Sequence, residues 1–250
     1  LLGREVRWTG DWAANVRPGT TPAGWFFEYR NAWYPDVDDT AVVALALRET
    51  GTGEAAVRRG LEWVVGMQSA NGGWAAFDAD NTSDWLYKIP FFDFGAVIDP
   101  PSVDVSAHAL EVLAGLPEFA APVERGLQYL LAEQEDDGSW FGRWGVNHVY
   151  GTGAALPALE ACGVPHDHPA MRRAVAWLDS VQHGSGGFGE DVLSYSDPSW
   201  RGRGTPTPSQ TAWALLGYVA AGEERSPAAR RAAEFLISTQ RADGDWDEEH

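Results

Sequence analysis

The sequence predicts an all-α fold of the α/α toroid type, an incomplete α6/α6 barrel built from helical hairpins. Three observations point there. A five-point pattern returns four times without internal gaps: Arg, three residues, aromatic, four residues, Gln, three residues, Gly, one residue, aromatic. Its copies are Arg59, Trp63, Gln68, Gly72, Trp74; Arg125, Tyr129, Gln134, Gly138, Trp140; Arg173, Trp177, Gln182, Gly186, Phe188; and Arg231, Phe235, Gln240, Gly244, Trp246. Between the copies lie Ala-rich segments of helical period with few charges. The chain also holds 13 Trp, more than the packing of one core requires.

Residues 1–35 come first. Pro18, Gly19, Pro22, Gly24 and Pro35 interrupt any period, so an extended, aromatic-rich segment lying over the barrel is expected. Residues 36–250 form the barrel. Its outer helices are predicted at 57–68, 122–134, 169–182 and 228–240, each running into a glycine turn. Inner helices are predicted at 38–50, 103–116, 151–162 and 208–222. They are apolar nearly all round and so buried on all sides. Stacked hairpins of this kind build a curved array that can close on itself. A long loop, 80–102, feeds the second inner helix and carries Phe91, Phe92 and Phe94 within reach of a ring mouth.

The bulk numbers exclude several classes. A formal charge of −18 argues against nucleic acid, whose phosphates need a basic surface. The single cysteine, Cys162, rules out an internal disulfide and fits a reducing compartment. No signal peptide and no apolar run long enough for a spanning helix is present. The abrupt first and last residues suggest a piece of a longer protein. Cys162, His166 and His168 lack a fourth metal ligand, and no glycine loop cradles phosphate, so neither metal nor cofactor is expected.

The chemistry concentrates in Asp36-Val37-Asp38-Asp39-Thr40-Ala41, where three carboxylates open an apolar helix. One can cap the helix and the others meet its positive end. Like charges this close hold one proton more tightly, so the group reads either as a general acid facing a cavity or as a capped surface helix. Aligned inner-helix starts set Asp38 level with Asp104, and His108 follows Asp104 by one turn on the same face. His108 reads as the partner of the acids or as a buried histidine bonded to a local carbonyl. The Gln–Gly–Trp turns read as structural ties, the amide bonding backbone groups of its own helix end and of the next helix. The remaining aromatics, with Phe27, Phe77, Phe91, Phe94 and Tyr150, suffice to line a cavity and to stabilise a cation.

The acid motif together with the Gln-x3-Gly-x-Trp turns resembles the squalene–hopene cyclase family of class II terpene cyclases. Asn81-Thr82-Ser83-Asp84, Asp99-Pro100-Pro101-Ser102, Gly142-Arg143-Trp144-Gly145-Val146-Asn147 and Thr207-Pro208-Ser209-Gln210-Thr211-Ala212-Trp213 extend the match. Members of that family have two α/α barrels, and this chain resembles most of the barrel bearing the acid, with the second barrel absent. The resemblance implies that Asp38 protonates a terminal alkene of squalene. Asp36 and Asp39 share its hydrogen-bond network, Asp104 and His108 orient and strengthen it, and Tyr150 helps return the proton. It places Phe27, Phe77 and Trp144 along the cavity. Phe77 stands where a tyrosine is frequent, and Asp39 stands where oxidosqualene cyclases carry a cysteine, which favours the bacterial type. Peripheral, monotopic association with the cytoplasmic face of a membrane is implied for the full-length enzyme, and a homodimer is compatible with it.

Two other functions fit the residues. One is a class II diterpene cyclase acting on a prenyl diphosphate, which shares the acid motif. The other is a non-catalytic toroidal binding or scaffold domain whose acids are only caps.

Overall fold

A computed structural model describes residues 1–27, 32–83 and 98–248. Phe91 and Phe94 lie outside the described residues. Regular structure among the described residues is helical, with short 3-10 turns and isolated β-bridges only. The chain divides into two compact units, Leu1–Tyr129 and Leu130–His250. The first holds α1 (Val37–Glu49), α2 (Glu54–Gly66), α3 (Val103–Leu113) and most of α4 (Ala120–Ala132). The second holds α5 (His148–Ala161), α6 (Pro169–Val181), α7 (Pro208–Ala220) and α8 (Pro227–Thr239). In the first unit α1 packs against α2 and α3; in the second α7 packs against α5 and α8.

Local chemistry sets the helix ends. Thr207 and Ser226 accept the N–H groups of Gln210 and Ala229 at 3.3 and 3.1 Å, and Pro208 and Pro227 follow at the first helical position. Three ends differ from expectation by three residues, the first being α2, which starts at Glu54 rather than residue 57. α3 stops at Leu113 rather than residue 116, because Ala114 turns extended and Gly115 takes a φ of 75°. α5 starts at His148 rather than residue 151, which brings Tyr150 into its first turn. Burial also differs: α3 and α5 are buried along nearly their whole length, whereas α1 exposes Val42 and α7 exposes Leu216 and Val219.

The turns at Trp74 and Trp140 are each a knot of four ties, and the other two copies keep part of the set. The Gln lies just past its helix, and at Gln182 and Gln240 the backbone is extended, which swings the amide across the turn. Gln68 Nε2 donates to the carbonyls of Gly72 at 2.8 Å and Pro122 at 2.9 Å. Gln134 reaches Gly138 and Ala170, both at 2.9 Å, and Gln182 reaches Gly186 and Ala228 at 2.8 and 2.9 Å. The amide oxygen of each takes the guanidinium of the following copy: Arg125 to Gln68, Arg173 to Gln134, Arg231 to Gln182. The Trp indole N–H donates four residues upstream of the Gln, Trp74 to the Val64 carbonyl and Trp140 to that of Leu130, both at 2.7 Å. Gly72 needs its φ of 96°, and a Cβ there would fall 2.5 Å from the Arg125 carbonyl oxygen.

The fourth tie joins the turn to the next helix. A hydroxyl near the start of that helix accepts the N–H of the repeat aromatic: Ser106 from Trp74 at 2.8 Å, Thr152 from Trp140 at 3.1 Å, Thr211 from Phe188 at 2.9 Å. Thr40 does the same for Trp25 at 2.9 Å.

That last bond exposes a fifth turn at the start of the chain. Val6 N–H donates to the Gly24 carbonyl at 2.8 Å, as Ser69 does to Gly73 at 2.9 Å. Trp25 Nε1 donates to the Leu1 carbonyl, four residues before Glu5, at 3.1 Å. Arg59 Nε and an Nη donate to the two carboxylate oxygens of Glu5 at 2.8 and 2.7 Å. Glu5 and Trp25 therefore stand where Gln68 and Trp74 stand, with residues 7–23 inserted between. A carboxylate cannot donate to the two carbonyls that the amide would reach, and the paired bond to Arg59 takes over the tie. Trp12, in the insertion, packs edge-on to Trp63 at 5.7 Å.

Candidate active site

The first unit builds its polar site at the start of α1. Asp36 N–H donates to the Trp25 carbonyl at 2.7 Å, and Val37 N–H donates to the Ala76 carbonyl at 2.8 Å. The helix start is thus held between two stretches that begin at the tied residues Trp25 and Trp74. Asp36 is the N-cap, its Oδ1 accepting Asp39 N–H at 3.0 Å. It is 6% exposed. Burial, with the charges of Asp39 and Asp38, outweighs the backbone bonds and pushes its carboxyl up to about 7. Burial and the charge of Asp38 push Asp39 up as well. Asp36 and Asp39 therefore hold protons more tightly than ordinary aspartates.

Asp38 faces the other way. Its Oδ1 lies 2.5 Å from His108 Nδ1, an aspartate on α1 against a histidine on α3. The side chains are 31% and 24% exposed, so the pair is neither sealed in the core nor free in solvent. Burial pulls the His108 ring down, but the bond to Asp38 and the charges of Asp38, Asp104 and Glu111 more than offset it, and the ring stands above its ordinary value. It is therefore protonated more readily than a free histidine, and Nδ1–H donates to Asp38. Asp104, fully buried, accepts Ser102 Oγ–H at 2.5 Å, and its charge adds to the rise of the His108 ring.

Phe77 follows the Ala76 carbonyl that anchors α1, and its N–H donates to Asp99 Oδ2 at 2.6 Å. The sequence assigns Asp99 no role of its own. A lone aspartate before two prolines gives no periodic signal, and the bond to Phe77 shows one thing that it does. Phe27 is 77% exposed.

The second unit carries Trp144 and Tyr150. Trp144 is 52% exposed, with the Arg143 guanidinium 5.8 Å from its ring centre. Tyr150 packs at 4.6 Å and 58° on Trp213. Gly142 and Gly145 let the chain pass its other side, where a Cβ would fall 2.6 and 2.5 Å from the Tyr150 ring. Below them lies a buried hydrogen bond that the sequence does not announce: His148 Nδ1 and Glu190 Oε1 are 3.0 Å apart. Burial raises Glu190, but its bonds to His148 and to the Val149 and His148 backbone outweigh this and hold the carboxyl below its ordinary value. Glu190 follows Phe188 by two residues and reads in the sequence as any surface acid.

The profile of the squalene-hopene cyclase C-terminal domain matches residues 1–250. The chain belongs to that family. It is 50% identical over 255 residues to a squalene–hopene cyclase of Alicyclobacillus acidocaldarius, the match covering 99% of this chain and 40% of that protein. The squalene–hopene cyclase of Bradyrhizobium diazoefficiens is 49% identical, with 98% of this chain and 39% of that protein covered. The chain thus spans about two fifths of the length of these cyclases. Among solved structures, an ent-copalyl diphosphate synthase from Streptomyces platensis aligns with a TM-score of 0.58 at 25% identity, covering 82% of this chain and 35% of that one. The type II terpene cyclase MstE from Scytonema aligns with a TM-score of 0.64 at 23% identity, covering 92% and 61%, a likeness of fold. Among the described residues no helix is long and apolar enough to cross a membrane, and no group of three or more His, Cys, Asp or Glu is placed to hold a metal ion.

Proposed function

We propose that the intact protein cyclises squalene to hopene-type triterpenes by proton-initiated chemistry, and that Asp38 is the acid. The single observation that carries this reading is the 2.5 Å bond between His108 Nδ1 and Asp38 Oδ1 beside two acids of raised proton affinity. Squalene–hopene cyclases at 48–50% identity support the substrate class.

The reaction needs a proton on an unactivated alkene carbon, so the acid must be strong while remaining loaded. His108 occupies one Asp38 oxygen and leaves the other for the transferable proton. When that proton moves to the terminal alkene, the carboxylate left behind faces an imidazolium, and this stabilises the product side of the transfer. Asp36 and Asp39 keep protons next to the donor and serve its resupply. Aromatic faces then stabilise the migrating cation by about 0.5–2 kcal/mol each without acting as nucleophiles. Phe77 and Trp144 take that role here, with Phe27, Phe91 and Phe94 as further candidates, and Tyr150 assists the return of the proton.

The architecture that suits this chemistry is an incomplete α/α toroid, a reading supported by the likeness to type II terpene cyclases. Squalene is wholly apolar, so the intact enzyme would meet it at the cytoplasmic face of a membrane as a peripheral protein. A diterpene cyclase reading gains from the likeness to ent-copalyl diphosphate synthase, but a chain of net charge −18 is poorly suited to a diphosphate.

The test is Asp38→Asn in the intact protein, with squalene conversion followed by gas chromatography. Loss of cyclisation by at least about a thousandfold is expected while a cooperative melting transition is retained. Turnover retained within an order of magnitude would remove Asp38 as donor.

A further inference from the structure

Residues 188–195 hold the segment that carries Trp144 and Tyr150. The Tyr195 hydroxyl lies 3.0 Å from the Arg143 carbonyl and 2.8 Å from the Gly145 carbonyl, the two that flank Trp144. Glu190 works from the other side of the loop. Its Oε2 accepts Val149 N–H at 2.8 Å and, more weakly, Asn147 N–H at 3.4 Å. α5 has Asn147 as N-cap with no side-chain cap bond, so Glu190 supplies the negative charge and the acceptor that this helix start lacks. Phe141 closes the assembly, edge-on to Tyr195 and to His148 at 5.7 Å each.

The gripping segment is itself anchored. Asp191 Oδ1 accepts Leu193 N–H at 2.9 Å and caps the 3-10 turn that ends in Tyr195, while Asp191 N–H donates to the Arg203 carbonyl at 2.8 Å. The Tyr195 hydroxyl shares its one hydrogen between the carbonyls of residues 143 and 145, and Glu190 Oε2 accepts from the N–H groups of residues 147 and 149, so every partner is backbone. The grip therefore sets where Trp144 and Tyr150 stand without restricting which side chains occupy those positions.

We propose that Tyr195 and Glu190 are positioning residues that fix Trp144 and Tyr150 and so determine how far the cyclisation proceeds. This rests on the proposed reaction, which sets Trp144 against a cationic substrate and has Tyr150 assist the return of the proton. Binding of an apolar chain follows buried area and tolerates a small displacement of one ring. Stabilising a transient cation depends on the placement of the ring face, so a loosened loop releases the cation early, as a proton lost to give incompletely cyclised product.

Tyr195→Phe in the intact protein is the test, since it keeps the ring contact with Phe141 and removes only the hydroxyl. Two readouts are needed: product composition from squalene, and hydrogen exchange of the amides between residues 142 and 151. Faster exchange there, kcat for complete cyclisation lower by roughly two- to tenfold, KM nearly unchanged and a matching rise in incompletely cyclised product are expected. Glu190→Gln should move the same readouts in the same direction, and if it fails to fold, Tyr195→Phe decides alone. Unchanged exchange, or faster exchange with an unchanged product profile, overturns the proposal. A wild-type protein that makes no cyclic product from squalene strikes the assigned reaction instead, and the exchange measurement still judges the grip.

Discussion

Asp38 and His108 stand 70 residues apart in sequence and 2.5 Å apart in space, with Nδ1 of the ring on Oδ1 of the acid. Each comes from a helix whose start is tied by the same device, the hydroxyl of Thr40 in α1 and of Ser106 in α3 holding the N–H of the preceding aromatic. The repeat therefore does more than stack helices. It brings the two helix starts into one register, and the acid and the histidine meet because the register is the same.

His108→Asn separates the pair chemically while keeping a polar side chain. In the proposed reaction, loss of the imidazolium removes the group that favours departure of the proton, so kcat of the intact protein for squalene should fall by about a hundredfold or more. Inhibition by squalane, which needs no proton, should change by no more than about twofold. The pH dependence of folding follows from the raised ring. Stability from the pair is fully present below the ordinary histidine value of 6.5 and is lost as pH rises through the higher folded value. Melting curves of wild type and variant should accordingly converge on the alkaline side; a gap that widens there contradicts a raised His108.

Asp36→Asn tests the buried acid. Between its ordinary 3.8 and about 7 the folded chain keeps a proton that the unfolded chain has released, so native stability falls as pH rises across that window. Asn remains a good N-cap and can still accept Asp39 N–H, but it carries no charge to desolvate. The variant should be more stable than wild type by on the order of 2–4 kcal/mol above neutrality, with the advantage fading towards about pH 4. Cyclisation should decline as the resupply of protons is lost. Chemical denaturation across the pH range measures the first effect, and no gain at alkaline pH would refute the raised value.

How much of this was legible in the sequence depends on what each residue repeats. The four turns were readable because Gln68, Gln134, Gln182 and Gln240 sit at fixed spacing from an Arg and an aromatic. The fifth turn was not, because Glu5 replaces Gln and residues 7–23 separate it from Trp25. Its chemistry survives while its spacing does not. The acids and His108 were legible through the aligned helix starts. Glu190, Tyr195 and Asp99 were silent, since each makes bonds to backbone brought near by the fold, and backbone partners leave no mark in the residue pattern. Burial of the inner helices was overestimated at α1 and α7, because an apolar period shows what could be covered and not what covers it.

The shared hydroxyl predicts equal costs at separate places. Thr152→Val and Thr211→Val keep the shape of the side chain and leave the buried N–H of Trp140 or Phe188 without its acceptor. Each should cost about 1–3 kcal/mol, the penalty for an unsatisfied buried donor. Within the second unit the two sites share no bonding partner, so the double variant should lose close to the sum. A cost near zero at either position, read from chemical denaturation, would reduce the tie to a geometric accident.

Glu5 and Arg59 offer a swap that the protein has already made at its other turns. Burial raises the Glu5 carboxyl, but the bonds and charge of Arg59, with a contribution from Arg7, outweigh it and lower the pKa from 4.5. A lowered carboxylate contributes stability that is present above its unfolded value and is lost as pH falls through the folded one. Glu5→Gln restores the amide used at Gln68, Gln134 and Gln182, so stability at neutral pH should stay within about 1 kcal/mol while the acid limb flattens. Arg59→Ala strands a buried carboxylate in the wild type and should cost about 3 kcal/mol, but less in the Glu5→Gln background, where no charge is left unpaired. A double-mutant cycle run at neutral and acidic pH isolates the coupling, which should shrink as Glu5 protonates. Coupling that is independent of pH would mean that Glu5 acts here as an uncharged spacer, and that the fifth turn is held by Trp25 and Val6 alone.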